Sequence, residues 1–273
     1  MRLGVCSWSL RPGSPAELAA KVRECGLHAV QLALDPIRRG EWGLGDTQRT
    51  LGEAGITILS GMMAMRGEDY STLASIRRTG GVRPNATWPE NVEAAKRNAD
   101  IAASLGLTLV TFHAGFIPED PADEERGVMI ERLLTLFDIF DERDVRIGLE
   151  TGQEPAHVVR RLIDDMGVDV GVNFDPANMI LYGMGDPVES LDLLTEHVVQ
   201  IHIKDALSAE AAGEWGTEVP VGAGEVQWDS FFGVVADRGL DVDLVIERES
   251  GKCRVEDVVQ AADLVRRHHR VGA

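Results

Sequence analysis

Eight short apolar runs recur along the chain, at Leu3–Cys6, Ala29–Leu34, Ile56–Leu59, Leu107–Phe112, Val145–Leu149, Val170–Asn173, Val198–Ile203 and Val242–Ile246. Most show little polar alternation, as parallel strands buried on both faces do, and each is long enough for a strand but too short for a helix. The segments between them read as helices with start and stop signals. Ser14-Pro15-Ala16-Glu17 supplies an N-cap serine, a proline in the first turn and a glutamate that can reach back to the cap, and Gly26 closes that helix. Thr87-Trp88-Pro89-Glu90 opens a similar segment ending at Gly106, and Asp120-Pro121 and Asp186-Pro187 repeat the pairing of cap and proline. Gly55, Gly167 and Gly239 each follow a helical run and precede a strand.

Eight units of strand, loop, helix and glycine turn predict an α/β fold, a closed (β/α)8 TIM barrel forming a single domain over residues 1–273. An open doubly wound sheet fits less well: Ser7-Trp8-Ser9-Leu10 follows the first strand where a glycine-rich dinucleotide loop would stand. The longest irregular stretch, Met65 to Ala86, exceeds a plain connection and is expected to form a lid or mouth loop.

Composition narrows the function. With 44% hydrophobic and 26% charged residues the chain reads as an ordinary soluble protein with a large core. A formal charge of −18 repels phosphate backbones and anionic lipid, so no nucleic acid and no membrane partner is expected. No run approaches the ~20 apolar residues of a membrane helix, and MRLGVCSWSL lacks the pattern of a signal peptide, so a cytoplasmic location is expected. Cys6, Cys25 and Cys253 show no metal or redox spacing and read as free thiols. Apolar positions on the outer helices are sufficient for a homodimer, which the sequence does not distinguish from packing against the sheet.

The chemistry sits at the strand ends, because a barrel presents all of its C-terminal strand ends to one mouth. Strands five to eight end in Leu149-Glu150-Thr151, Asn173-Phe174-Asp175, Ile201-His202-Ile203-Lys204-Asp205 and Ile246-Glu247-Arg248. Three carboxylates converging there would resist ionising unless a cation lay between them. Glu150, Asp175, His202 and Glu247 therefore predict one divalent metal site. Three oxygen donors and an imidazole suit Mn²⁺ first, with Mg²⁺, Co²⁺ or Zn²⁺ possible. The bland reading of any one of these residues is a solvated rim acid or a helix cap; four in successive strands make that reading weak.

Phe112-His113-Ala114-Gly115, Leu149-Glu150-Thr151-Gly152-Gln153-Glu154, Val172-Asn173-Phe174-Asp175-Pro176-Ala177-Asn178-Met179, Ile201-His202-Ile203-Lys204-Asp205, Val221-Gly222-Ala223-Gly224-Glu225 and Ile246-Glu247 resemble the xylose isomerase-like superfamily, in its sugar phosphate isomerase/epimerase branch. The resemblance spans nearly the whole chain. It implies that Glu150, Asp175, His202 and Glu247 bind one metal, and that Glu150 and Glu247 also move protons on opposite faces of a sugar. Two departures stand out. Asn178 occupies a place where epimerases often carry histidine. Extra histidines of the endonuclease IV type are missing from Leu59-Ser60-Gly61-Met62, from Asn178 and from Gly216-Thr217-Glu218, which speaks against a nuclease.

The expected reaction is proton abstraction beside a carbonyl through a metal-stabilised enediolate, giving an isomerase or epimerase of a sugar, keto-sugar, inosose or sugar phosphate. Two alternatives stay open: a lyase or dehydratase of oxidised glycosides or inositols, and a non-catalytic metal- or sugar-binding accessory subunit. Substrate contacts are expected from Trp8, His113, Gln153, Asn178 and Lys204, and an apolar wall from Met62. Lys204 could instead pair with Asp205 or Glu225, and Gln153 and Glu154 could cap a helix. Val221-Gly222-Ala223-Gly224 suggests a turn able to cradle phosphate, although no arginine cluster accompanies it.

Overall fold

The computed structural model describes residues 1–211 and 213–268. Eight parallel strands close into a barrel: β1 (Leu3–Cys6), β2 (Ala29–Ala33), β3 (Thr57–Met62), β4 (Leu109–Phe112), β5 (Arg146–Glu150), β6 (Gly171–Phe174), β7 (Val198–Ile203) and, after a two-stranded ribbon of β8 (Asp205–Leu207) and β9 (Thr217–Val219), β10 (Asp243–Ile246). Each apolar run read from the sequence lies on one of these strands. The third run was set to stop at Leu59, but β3 continues to Met62, with Ser60 and Gly61 paired to Gln31 and Leu32 of β2. Polarity at Ser60 hid the continuation, since a barrel interior accepts a polar side chain that is hydrogen-bonded.

Such polar residues form a floor inside the barrel. Ser60 Oγ donates to Gln200 Oε1 at 2.5 Å, Gln200 Nε2 to Asn173 Oδ1 at 3.1 Å, and Asn173 Nδ2 to Glu150 Oε2 at 3.2 Å. On the other side Gln31 Nε2 donates to Thr111 Oγ1 at 2.8 Å. These six residues are buried. A chain of satisfied hydrogen bonds thus runs through the core to the mouth, where it holds side chains in fixed orientations.

Helix caps differ from expectation in three places. Ser14 does cap the helix Pro15–Glu24 by accepting from Glu17 N, but the Glu17 carboxylate reaches past the cap to Gly13 N at 2.8 Å. Thr87 precedes Trp88–Ser104 in helical conformation and its buried hydroxyl has no partner, so its side chain does not cap. Asp120-Pro121 starts no helix. The next one is Glu124–Asp141, capped by Asp123, while Asp120 Oδ1 closes a turn on Ala122 N. Asp186 caps Pro187–Leu194 as read, through Val188 N and Glu189 N.

The stretch from Met65 to Ala86 contains a helix, Leu73–Thr79, opened by a capping box of Thr72 and Ser75. Its C-terminal end is pinned to the barrel. A Cβ on Gly81 would lie 1.9 Å from Ala114 O and one on Gly115 would lie 2.4 Å from Gly80 O, and both residues have positive φ, so only glycine fits either place. Val82 N donates to Ala114 O across the same crossing.

The turn Val221-Gly222-Ala223-Gly224 is filled from within. The buried Asp205 carboxylate accepts from Gly222 N at 2.8 Å, Gly224 N at 3.2 Å, Val226 N at 3.2 Å and Trp228 Nε1 at 3.0 Å. The predicted phosphate cradle is thus an internal carboxylate nest that fixes the loop after β9. Asp205→Ala leaves several buried donors unpaired, and we expect it to lower the urea-unfolding free energy by about 3 kcal/mol or more. A loss under about 1 kcal/mol would show that the nest is not structural.

Candidate metal centre

Each member of the predicted quartet arrives by a simple local rule. Glu150 is the last residue of β5, His202 points inward from β7, and Glu247 follows β10 directly. Asp175 follows β6 and caps the helix Pro176–Tyr182: its Oδ1 accepts from Asn178 N at 2.9 Å, which turns Oδ2 toward the mouth. His202 Nδ1 lies 3.6 Å from Glu150 Oε1, 3.5 Å from Asp175 Oδ2 and 3.6 Å from Glu247 Oε2. All four candidate ligand atoms lie within 4.8 Å of one another.

Two of those atoms, His202 Nδ1 and Asp175 Oδ2, are buried without any hydrogen-bond partner. Orphaned buried polar atoms are costly and rare, so a pair of them facing each other among carboxylates fits a dication held between them. The ring is held from behind: His202 Nε2 lies 2.8 Å from Gln31 Oε1 and 3.0 Å from Asn173 Nδ2, which fixes its orientation with Nδ1 toward the acids.

Electrostatics follow from burial. For His202 burial opposes the charged form, but Cys6, Glu150 and Glu247 overcome it and raise its pKa well above the ordinary value. Burial pushes Glu150 upward, and His113 and His202 more than offset that, leaving it below the usual carboxylate range. Burial likewise raises Glu247, but Lys204 and His202 hold it well below. Asp175 is raised, with burial outweighing the pull of Lys204.

Lys204 does not meet Asp205 or Glu225. Its ammonium donates to Glu247 Oε2 at 2.7 Å, Glu249 Oε2 at 2.6 Å and Asn178 Oδ1 at 3.3 Å. Trp8 Nε1 occupies the other oxygen of Glu247 at 2.7 Å. Asn178 Nδ2 donates to Glu150 Oε1 at 3.0 Å, and His113 Nε2 lies 3.5 Å from the same atom. The two acids proposed to move protons are therefore held differently: Glu247 between an ammonium and an indole, Glu150 between two amides and an imidazole.

Above the quartet opens a cavity of about 580 Å³ whose wall includes Trp8, Met62, His113, Asn178 and Glu247. Gln153 and Lys204 are not in that wall. Gln153 is buried beside the helix Ala156–Met166, whose N-cap is Pro155, and Glu154 accepts from Ile117 N at 3.1 Å instead of capping it. Burial raises the Glu154 pKa to about 8. Sequence reading missed Glu68, Tyr70, Trp215 and Glu249 in the wall, which come from loops without strand-end signature, and Tyr182, which ends the helix Pro176–Tyr182. It also missed Gln31, Asn173 and Gln200, although a lone amide inside each apolar run was a readable signal.

The sequence from 19 to 268 matches the family described as the xylose isomerase-like TIM barrel. The chain belongs to that family. Among solved structures it resembles a xylose isomerase domain protein from Planctomyces limnophilus, with 27% identity, TM-score 0.85 and coverage of 98% of this chain and 95% of that one. It also resembles a D-allulose 3-epimerase from Methylomonas sp. solved with D-allulose (13% identity, TM-score 0.73, coverage 98% and 97%). An IOLI protein with a bound zinc atom matches with 18% identity, TM-score 0.75 and coverage of 98% and 99%. No protein of curated function matches the sequence. Among the described residues no helix is long and apolar enough to cross a membrane.

Titration of metal-free protein with Mn²⁺ should show one site and a higher unfolding midpoint, by about 2.7 kcal/mol at 100 times Kd. Asp175→Asn keeps the capping oxygen but removes a charged donor, and should weaken binding by at least about tenfold. Because the metal must displace a proton from an imidazole whose pKa is raised, affinity should fall as the pH is lowered. Unchanged affinity in the variant, or tighter binding in acid, would remove the quartet from consideration.

Proposed function

We propose that this chain is a divalent-metal-dependent isomerase or epimerase of a carbohydrate, with manganese as the preferred ion. The observation that carries this reading is the pair of buried acids, Glu150 and Glu247, each 3.6 Å from the same imidazole nitrogen beneath a cavity. The solved relative with D-allulose supports a sugar as substrate class, and the relative with zinc supports a divalent ion.

A dication held by Glu150, Asp175, His202 and Glu247 would supply Lewis acidity toward a carbonyl and a neighbouring hydroxyl. Glu150 takes the proton from the hydroxyl-bearing carbon, since His113 and His202 keep its carboxylate ionised and the amides of Asn173 and Asn178 orient it. Glu247 acts on the opposite face. Lys204 and Trp8 keep it ionised and oriented, which makes it the weaker base of the two. His113, in the cavity wall beside Glu150, donates to a substrate hydroxyl. Delivery of a proton to the same carbon by Glu247, which draws it from the Lys204 ammonium while Glu150 keeps the one it took, inverts that carbon; return by Glu150 to the adjacent carbon interconverts aldose and ketose.

Proton NMR in D₂O with Mn²⁺ and a panel of ketoses and inososes should show exchange of one carbon-bound proton. Glu150→Gln should slow that exchange by about 10²–10⁴. An unsaturated, ultraviolet-absorbing product would assign the chain as a lyase instead, and metal binding without exchange across the panel would assign it as a binding subunit.

A further inference from the structure

The cavity wall carries charge of one sign. Asp35, Glu68, Glu218, Glu247 and Glu249 line it, and among the described residues no lysine or arginine does. The cations nearby are already committed. Arg38 pairs with Asp35 at 2.8 Å, Arg248 with Glu218 at 2.7 Å and with Asp257 at 2.8 Å, and Lys204 lies buried between Glu247 and Glu249. His113 faces Glu150. Acidic side chains thus outnumber basic ones around the cavity, and each basic one already has a carboxylate partner.

The backbone offers an anion no better reception. The one glycine turn with clustered amides, at 221–224, spends its N–H groups on Asp205, and a Cβ on Gly224 would lie 2.1 Å from that carboxylate, so the nest has no room for a second anion. Between the acids, Trp8, Met62, Met63, Leu181, Tyr182 and Trp215 give the wall apolar faces, and its uncharged polar groups are Tyr70, Asn178 and Ser250. Tyr182 and Trp215 meet edge to face with centroids 4.9 Å apart, a surface suited to the C–H faces of a sugar or cyclitol.

We propose that this site takes uncharged hydroxy-ketones and turns away their phosphorylated and carboxylated counterparts. The inference rests on the reading of the cavity as a carbohydrate site and adds the charge of the substrate. Discrimination arises by repulsion: a phosphate in the cavity finds carboxylates without a free cation, whereas hydroxyl groups find acceptors and apolar faces. The Lys204 ammonium is the one cation that a single change can release toward the cavity, because Glu249, on the mouth side, is half-exposed while Glu247 lies beneath.

The test uses binding, read by Mn²⁺-induced broadening of ligand NMR lines with the full-length protein in excess over the metal. D-Fructose and D-tagatose are compared with their 6-phosphates. The uncharged member of each pair should bind at least about tenfold more tightly. Glu249→Gln should narrow the gap several-fold, and raising the salt concentration should narrow it in the unaltered protein. A 6-phosphate binding as tightly as its parent ketose overturns this inference alone and leaves the carbohydrate reading standing. A gap that neither Glu249→Gln nor salt alters overturns the charge argument, since steric exclusion would then account for it. Broadening of no ketose and no phosphate, with metal bound, overturns the carbohydrate reading and this inference with it.

Discussion

Three carboxylates buried around one imidazole set the terms for the rest of this molecule. Taken from water without compensation, such a cluster would be strongly unfavourable. The fold answers with fixed partners at every side: the amides of Asn173 and Asn178 on Glu150, the indole of Trp8 and the ammonium of Lys204 on Glu247, and the start of a helix on Asp175. What these partners leave unmatched are His202 Nδ1 and Asp175 Oδ2 at the centre of the cluster, an arrangement that fits a dication.

The polar floor extends that logic downward. Gln31 and Asn173 hold the His202 ring through Nε2, while Ser60, Gln200 and Asn173 relay orientation to Glu150 from the opposite side of the barrel. A barrel interior filled with aliphatic side chains would be easier to stabilise but would leave the ligands free to turn. Here part of the core is given over to holding directions, a use of buried hydrogen bonds that also makes the mouth rigid before any substrate arrives.

Much of this was legible in the residues. Parallel strands buried on both faces announce themselves as apolar runs, and three acids and a histidine placed at the ends of four successive runs announce a shared mouth. What stayed hidden depended on distance in sequence. The partners of Lys204 are Glu247 and Glu249 rather than its neighbour Asp205, because Asp205 turns away to satisfy the loop after β9. The glycine turn looked open for an anion since nothing local reveals that a residue some twenty positions earlier fills it. The helix start read at Asp120 fails for a related reason, since Asp123 caps that helix instead, whereas the helix after Thr87 begins where the sequence places it with the threonine hydroxyl unused.

The crossing of Gly80–Gly81 over Ala114–Gly115 bears on how ligands enter and leave. With backbone pressed against backbone there, the far end of the Met65–Ala86 segment is riveted to β4's outgoing loop and cannot serve as a pivot. The near side is tied as well, since Glu68 Oε1 accepts from Gly81 N at 3.0 Å and Arg66 N donates to Asn91 Oδ1 at 2.8 Å. The segment is thus less a door on a hinge than an awning fixed along both edges, with Glu68 and Tyr70 in the cavity wall.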